Sequence, residues 1–270
     1  MNELDNKKLA EEWENADLTN NFIFCNVMQN RQMCQELIER LLNIKVGHIE
    51  YINQEQVIDN TLDTKSFRLD VYVKGSDKMF DLEMQTSANT DLAKRTRYYQ
   101  AMMDIDLLAK GAYYSDLKES YIMFICTHDP FKKNLPIYTF RNICSEKKSI
   151  KLNDGTYKIF YNAEAYSSAK NENVKDFLNY IHTGKAVSEF TERLETLVNE
   201  IKQNKARRAD YMTMAMHYME HERAALMRGR EEGSLSAKLE TARNFLRMGL
   251  SKKQVSEGTG LSLEEINQIK

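Results

Sequence analysis

The chain has 270 residues, 42% of them hydrophobic, with only two prolines, four cysteines and a formal net charge of −2. That balance excludes a disordered chain and a disulfide-stapled miniprotein, and it leaves room for one sizeable core plus an appendage. Overall charge gives nucleic-acid binding no support, but residues 201–253 hold twelve basic and six acidic side chains, so the rest of the chain is net negative.

No apolar run reaches membrane-spanning length and the first residues are polar, so neither a signal peptide nor a membrane partner is expected. Cys25, Cys34, Cys126 and Cys144 form no CxxC pair. That spacing argues against a zinc knuckle or disulfide framework and for a reducing, cytoplasmic setting. Cys34 and Cys126 lie in apolar patterns and read as buried thiols.

In chain order, residues 1–17 are charged and read as a loose helix or tail. Asn20 or Asn21 then starts a short helix carrying Phe22, Phe24 and Val27. Residues 32–42 place Met33, Leu37, Leu41 and Leu42 at helical spacing, an apolar stripe that needs a sheet to cover. Residues 48–58 alternate in part and read as a first strand, and Asp59-Asn60 opens a loop.

The stretch SFRLDVYVKGSDKMFDLEMQ, residues 66–85, reads as two strands and a turn. Arg68, Asp70 and Tyr72 alternate with Leu69, Val71 and Val73; Lys74-Gly75-Ser76-Asp77 is a turn cluster. Phe80, Leu82 and Met84 then alternate with Asp81, Glu83 and Gln85. Pairing through that turn sets Asp70 close to Glu83. Two crowded carboxylates call for a cation, and oxygen ligands suit Mg²⁺ (or Mn²⁺). A solvated hairpin face would show the same alternation.

The hairpin ends at residues 86–89, and a strong helix follows over 92–110, closed by Gly111. The run SYIMFIC, residues 120–126, predicts a strand buried on both faces and ended by His128-Asp129-Pro130. Residues 137–144 and 157–162 predict two more strands around an Asn153-Asp154-Gly155 turn. The order through residue 126 is αβββαβ: an antiparallel meander, a crossover helix and another strand. An α/β fold follows, a mixed sheet flanked by helices, with an all-helical C-terminal extension.

From residue 172 the pattern is helical throughout. Val187, Phe190, Leu194, Leu197, Val198 and Ile201 form a seam that packs on the core or on another copy of the chain, which makes a homo-oligomer, most simply a dimer, the expected state. The GREEG run at 229–233 reads as a charged break, and short helices separated by Gly249 and Gly260 follow it. Ser251 and Ser262 fit N-cap positions, and Ser262 with Glu265 fits a capping box. The parts are thus a polar segment 1–17, a core domain 18–170, a helical region 171–233 and a tail 234–270. The tail pattern QVSEGTGLSLEEI fits a helix–turn–helix, but its second helix begins with two glutamates and makes a poor recognition helix. Oligomerisation or docking is the favoured reading there, with DNA contact at Arg243, Arg247, Lys252 and Lys253 as the lesser one.

An acidic residue on one strand followed on the next by Glu-x-Gln resembles the PD-(D/E)xK phosphodiesterase superfamily. LTNNFIFCNVM, RLDVYVKG, DLEMQT, LAKRTRYYQAMMD, YIMFICTHDPF and IYTFRN stand in the order seen in its recombination-promoting nuclease and transposase-like branch. The resemblance covers residues 18–165 and implies a restriction-endonuclease-like core. It implies an Mg²⁺-dependent endodeoxyribonuclease acting on double-stranded DNA in recombination or transposition. Asp70, Glu83 and the Met84 carbonyl would hold the metal. Gln85 stands where the superfamily usually has lysine, and would orient water or touch the phosphate. It can neither take a proton nor bring positive charge. Arg95 would clamp the phosphate, with Tyr99 on its face of the helix. The branch often has an acidic residue where this chain has Asn21; Glu36 or Glu39 would stand in for it. Gln85 and Asn21 keep open a second reading, a catalytically weak or inactive nuclease fold serving as a DNA-binding, regulatory or oligomerisation module.

Overall fold

The computed structural model describes residues 3–58, 67–88, 91–108 and 111–269. Two compact units divide the chain, 1–208 and 209–270. The first opens with helix α1 (Glu3–Asn15). Where a loose segment was expected, Leu9 and Trp13 of α1 are buried, and Trp13 Nε1 donates to the Lys202 carbonyl at 3.3 Å.

Helix α2 (Asn21–Met28) is capped by Asn20, whose side chain accepts from the Ile23 N–H. Helix α3 (Arg31–Leu42) is capped in the same way by Asn30. Both use the short side chain's affinity for the orphan amides of a first turn. Six strands follow among the described residues: β1 (Ile49–Ile58), β2 (Phe67–Gly75), β3 (Lys78–Gln85), β4 (Glu119–Cys126), β5 (Ile137–Phe140) and β6 (Thr156–Asn162). Helix α4 (Leu92–Leu107) crosses from β3 to β4. The sheet order is β1-β2-β3-β4-β6-β5. The first three strands pair antiparallel, β3, β4 and β6 run parallel, and β5 returns antiparallel to β6.

Alternation along β3 and β4 separates two buried faces. Tyr72, Met79, Ile122, Phe124 and Phe160 pack with Tyr99, Met102 and Met103 of α4. Lys74 anchors α4 by an ion pair to Asp106 at 2.7 Å. On the opposite face, the Tyr161 hydroxyl donates to the Leu41 carbonyl at the end of α3. Helices α5 (Glu172–Thr183) and α6 (Glu189–Gln203) complete that side, with Phe190, Leu194 and Val198 of α6 buried. The middle of the 187–201 seam, Phe190, Leu194 and Val198, therefore packs inside its own unit, next to α2, while Val187 stays exposed, and the argument from those three residues for a second copy falls away.

Three further expectations change. Helix α4 ends at Leu107, and Gly111, though at φ +91°, does not cap it. The strand expected over 137–144 stops at Phe140, an exposed edge; beyond it only an isolated Ile143–Lys151 bridge remains. The GREEG run is no break: helix α7 (Lys205–Arg247) runs through it. Glycine costs a helix about 1 kcal/mol, but neighbouring Arg, Glu, Leu and Ala are strong formers, and no proline intervenes.

Helices α8 (Lys252–Thr259) and α9 (Leu263–Asn267) follow Gly249 and Gly260, at φ +86° and +71°. Ser251 and Ser262 cap them, Ser262 in a capping box with Glu265. Ala242, Val255, Leu261 and Ile266 form a small core in this second unit. The expected loop at Asp59-Asn60, Asn89, Lys110 and the facing of Arg68 and Leu69 lie outside what is described. No described helix is long and apolar enough to cross a membrane.

Candidate active site

The β2–β3 hairpin turns through Ser76-Asp77, and its ladder pairs Lys74 with Met79 and Val71 with Leu82. Beyond Val71 the two strands are joined by side chains instead. The Asp70 N–H donates to Glu83 Oε1 at 3.1 Å, and the Met84 N–H donates to Asp70 Oδ2 at 3.1 Å. These two carboxylates thus take over the backbone's hydrogen-bonding duties where the ladder ends, a role a hydrophobic side chain cannot fill.

The parity of β3 puts Asp81, Glu83 and Gln85 on the face covered by α4. Solvent reaches 7% of Asp70, none of Asp81, 2% of Glu83 and 5% of Gln85, so this is no solvated hairpin face. Helix α4 supplies the counter-charge. Arg95 Nη2 donates to Glu83 Oε2 and Nη1 to Gln85 Oε1, both at 2.9 Å. Its Nε and Nη2 also reach the Tyr99 hydroxyl at 3.3 and 3.0 Å. The guanidinium lies 5.2 Å from the Phe124 ring centre, so an aromatic floor fixes its height. Gln85 Nε2 is turned to Ser87, donating to its carbonyl and hydroxyl oxygens.

Asn21 closes the other side. Its Nδ2 donates to Asp70 Oδ1 at 2.9 Å, and its Oδ1 accepts from the Cys25 thiol at 3.3 Å. The same thiol lies 3.2 Å from the Asp70 carbonyl, so its one proton is shared between Asn21 and β2.

One group has no such support. Neither oxygen of Asp81 accepts a hydrogen bond from any N–H or O–H donor, and its carboxyl faces that of Glu83. Burial, then the charge of Asp70, pushes Asp81 well above the usual carboxylate range. Burial, then Asp81 and Asp70, does the same to Glu83. Burial also raises the Tyr99 phenol, which stays neutral.

Residues 16–235 match the model of a family described as PD-(D/E)XK nuclease family transposase. The chain belongs to this family. No curated protein and no solved structure gives a match. In this member of the PD-(D/E)XK nuclease family transposases, Asp70 and Glu83 are neighbours across the β2–β3 hairpin, with Gln85 two residues beyond Glu83. The structure brings Asp70, Glu83, Gln85, Arg95, Tyr99, Asn21 and the Met84 backbone together.

It does not bring Glu36 or Glu39 there. Glu36 is held by Arg40 at 2.8 Å and Arg193 at 2.7 Å, and Glu39 accepts the Val46 N–H at 2.9 Å. Arg243, Arg247, Lys252 and Lys253 are exposed side chains of the second unit. Asp81, the Cys25 brace and the Phe124 floor were not among the expected site residues. Asp81 was visible as the next same-face position before Glu83; the other two depend on contacts across the fold.

Among the described residues, no three His, Cys, Asp or Glu side chains converge as a ready-made metal cage. The donor set nonetheless fits a small hard cation. It consists of carboxylate oxygens, and the two oxygens of Asp81 are buried acceptors that the protein's own N–H and hydroxyl groups leave unmatched.

Proposed function

We propose that the chain is a divalent-metal-dependent endodeoxyribonuclease that hydrolyses phosphodiester bonds in double-stranded DNA, in the service of recombination or transposition. The observation that carries the reading is the meeting of three buried carboxylates with one arginine at the end of a paired strand. A structural core has no use for three adjacent acids served by a single cation.

Asp70, Glu83 and the Met84 carbonyl would hold the ion, Mg²⁺ or Mn²⁺. When bound, the ion lowers the pKa of its water and neutralises charge on the phosphate. Gln85 positions water through its amide and takes no proton, since an amide is not a base near neutral pH. Arg95 offers a planar fork that matches two phosphate oxygens once its bonds to Glu83 and Gln85 are exchanged. Tyr99, neutral, holds that fork and donates a hydrogen bond. Asn21 keeps the Asp70 carboxylate facing its partner.

The test is relaxation of supercoiled plasmid in Mg²⁺ or Mn²⁺ by wild type, Asp70→Asn and Glu83→Gln. Cutting by wild type alone is expected, with the variants slower by at least about a thousandfold. Equal cutting by all three would overturn the reading.

A second reading has its own observation. Arg95 already neutralises Glu83, and Gln85 replaces the usual lysine, so the fold is also consistent with a DNA-binding module that does not cut. Salt-sensitive DNA retention without cutting, unchanged in both variants, would favour it.

A further inference from the structure

The loop joining β4 to β5, residues 127–136, is fastened at an unusual number of points for an exposed connection. The Asp129 carboxylate accepts the N–H groups of Phe131, Lys132 and Asn134 at 3.0, 2.9 and 2.6 Å. It also accepts the Tyr138 hydroxyl at 2.7 Å. That hydroxyl oxygen in turn accepts the Lys133 and Leu135 N–H groups, both at 3.2 Å. Phe131 sinks among Tyr138, Phe160 and Phe140, at ring-centre distances of 4.9, 4.9 and 5.1 Å. Lys132 is held at φ +55°, a left-handed conformation that a lysine does not take without cost.

The loop begins beside the carboxylates. The Thr127 N–H donates to the Gln85 carbonyl at 3.0 Å. The rings form a continuous path: Phe131 on Phe160, Phe160 stacked on Phe124 at 5.4 Å, and Arg95 over Phe124. The loop is therefore on the face of the sheet that carries the candidate site.

What it presents there is positive charge. Lys132 and Lys133 are exposed and make no ion pair among the described residues, whereas Lys74, Lys78 and Lys94 are each paired. The Asp129 carboxylate is turned inward onto its donors and Glu164 Oε2 accepts the Asp129 N–H at 3.0 Å, so of the loop's own charged side chains the two lysines are the ones directed outward. A polyanion approaching three acids needs fixed cations beside them.

We propose that Lys132 and Lys133 grip the phosphodiester backbone of duplex DNA next to the site of cutting, with Asp129 as the positioning residue that holds them in place. This rests on reading the carboxylate site as a nuclease centre. A rigid loop spends less order on binding than a mobile one, so the lysines are presented ready to contact phosphate.

The test is binding of a labelled DNA duplex without divalent metal, by anisotropy across a salt series. Lys132→Asn with Lys133→Gln removes both charges, and asparagine tolerates the left-handed backbone. Near 0.15 M salt, a loss of about thirty-fold is expected, and the slope of log K against log salt falls by about two. Lys132→Arg with Lys133→Arg retains both, and circular dichroism melting checks that each variant folds. An unchanged slope in the neutral variant overturns the inference, as does tighter binding of duplex RNA with the same loss. Salt-dependent DNA binding by wild type without cutting in Mg²⁺ sinks the nuclease reading and leaves the grip intact.

Discussion

Asp81 is the residue at which stability and site chemistry pull apart. No N–H or hydroxyl group reaches its buried carboxyl, which faces that of Glu83, and in the folded chain it resists ionisation. Since its folded pKa is raised, the native state keeps a proton that the unfolded chain gives up. Stability then falls as pH rises from the unfolded value toward the folded one. Asp81→Asn is expected to raise the melting temperature of the metal-free protein at pH 8, with a gap over wild type that closes below about pH 4; an equal gap at both pH values would remove this account. Asp129 has the opposite sign. Burial raises it, but the Tyr138 hydroxyl and three backbone N–H groups outweigh burial and hold it below the usual range. Its contribution is present above about pH 4 and is lost as pH falls through the folded value. Hydrogen exchange of the Phe131 and Lys132 amides is expected to quicken, relative to that of β4, on acidification over that window.

At the scale of elements, what carried from sequence to structure was periodicity, and what did not was context. The hairpin, the doubly buried β4, the start of the crossover helix and the serine caps all express a local rule, and each lies within two residues of where that rule puts it. Asp70 and Glu83 were legible for the same reason: strand alternation fixes their face. The direction of Asn21 was not, because it depends on Cys25 and on a strand 49 residues away. The end of α4 was misread because glycine is permitted to stop a helix without being obliged to. The misreading of GREEG follows the same logic, and it gives a test. A Cβ at Gly229 or Gly233 meets no atom within 4 Å. Gly229→Ala and Gly233→Ala should each stabilise α7 by about 0.5–1 kcal/mol, seen as a higher melting temperature of the far-ultraviolet signal. A flexible break at that place would instead show no gain.

For the whole molecule, the division into units 1–208 and 209–270 makes separate reporters possible. The chain's one tryptophan, Trp13, is buried in the first unit. The small core of the second depends on Val255, which solvent does not reach. Val255→Asp puts a charge into that core, and removing a buried apolar side chain already costs about 2–5 kcal/mol. The expected result is lost helical dichroism with Trp13 fluorescence unmoved. A matching change in both signals would make the chain one cooperative body. The family match ends at residue 235, within α7, so the core around Val255 and Ile266 lies beyond what the family describes.

The position of the site along the chain also bears on the order of folding. Asp70, Glu83, Gln85 and Arg95 are joined by contacts that span 10 to 13 residues, and Asn21 joins across 49. Trp13 meets the Lys202 carbonyl across 189 residues. Loop-closure entropy grows with the logarithm of separation, by about 0.6 kcal/mol per doubling, and contacts of short span are cheapest to nucleate. The cluster of Asp70, Glu83, Gln85 and Arg95 is thus expected to close early, since it is formed by a hairpin and the helix behind it. The contact of Trp13 with Lys202 closes the longest of these loops, so the docking of the chain's first helix on the end of its sixth is expected to follow the hairpin in refolding.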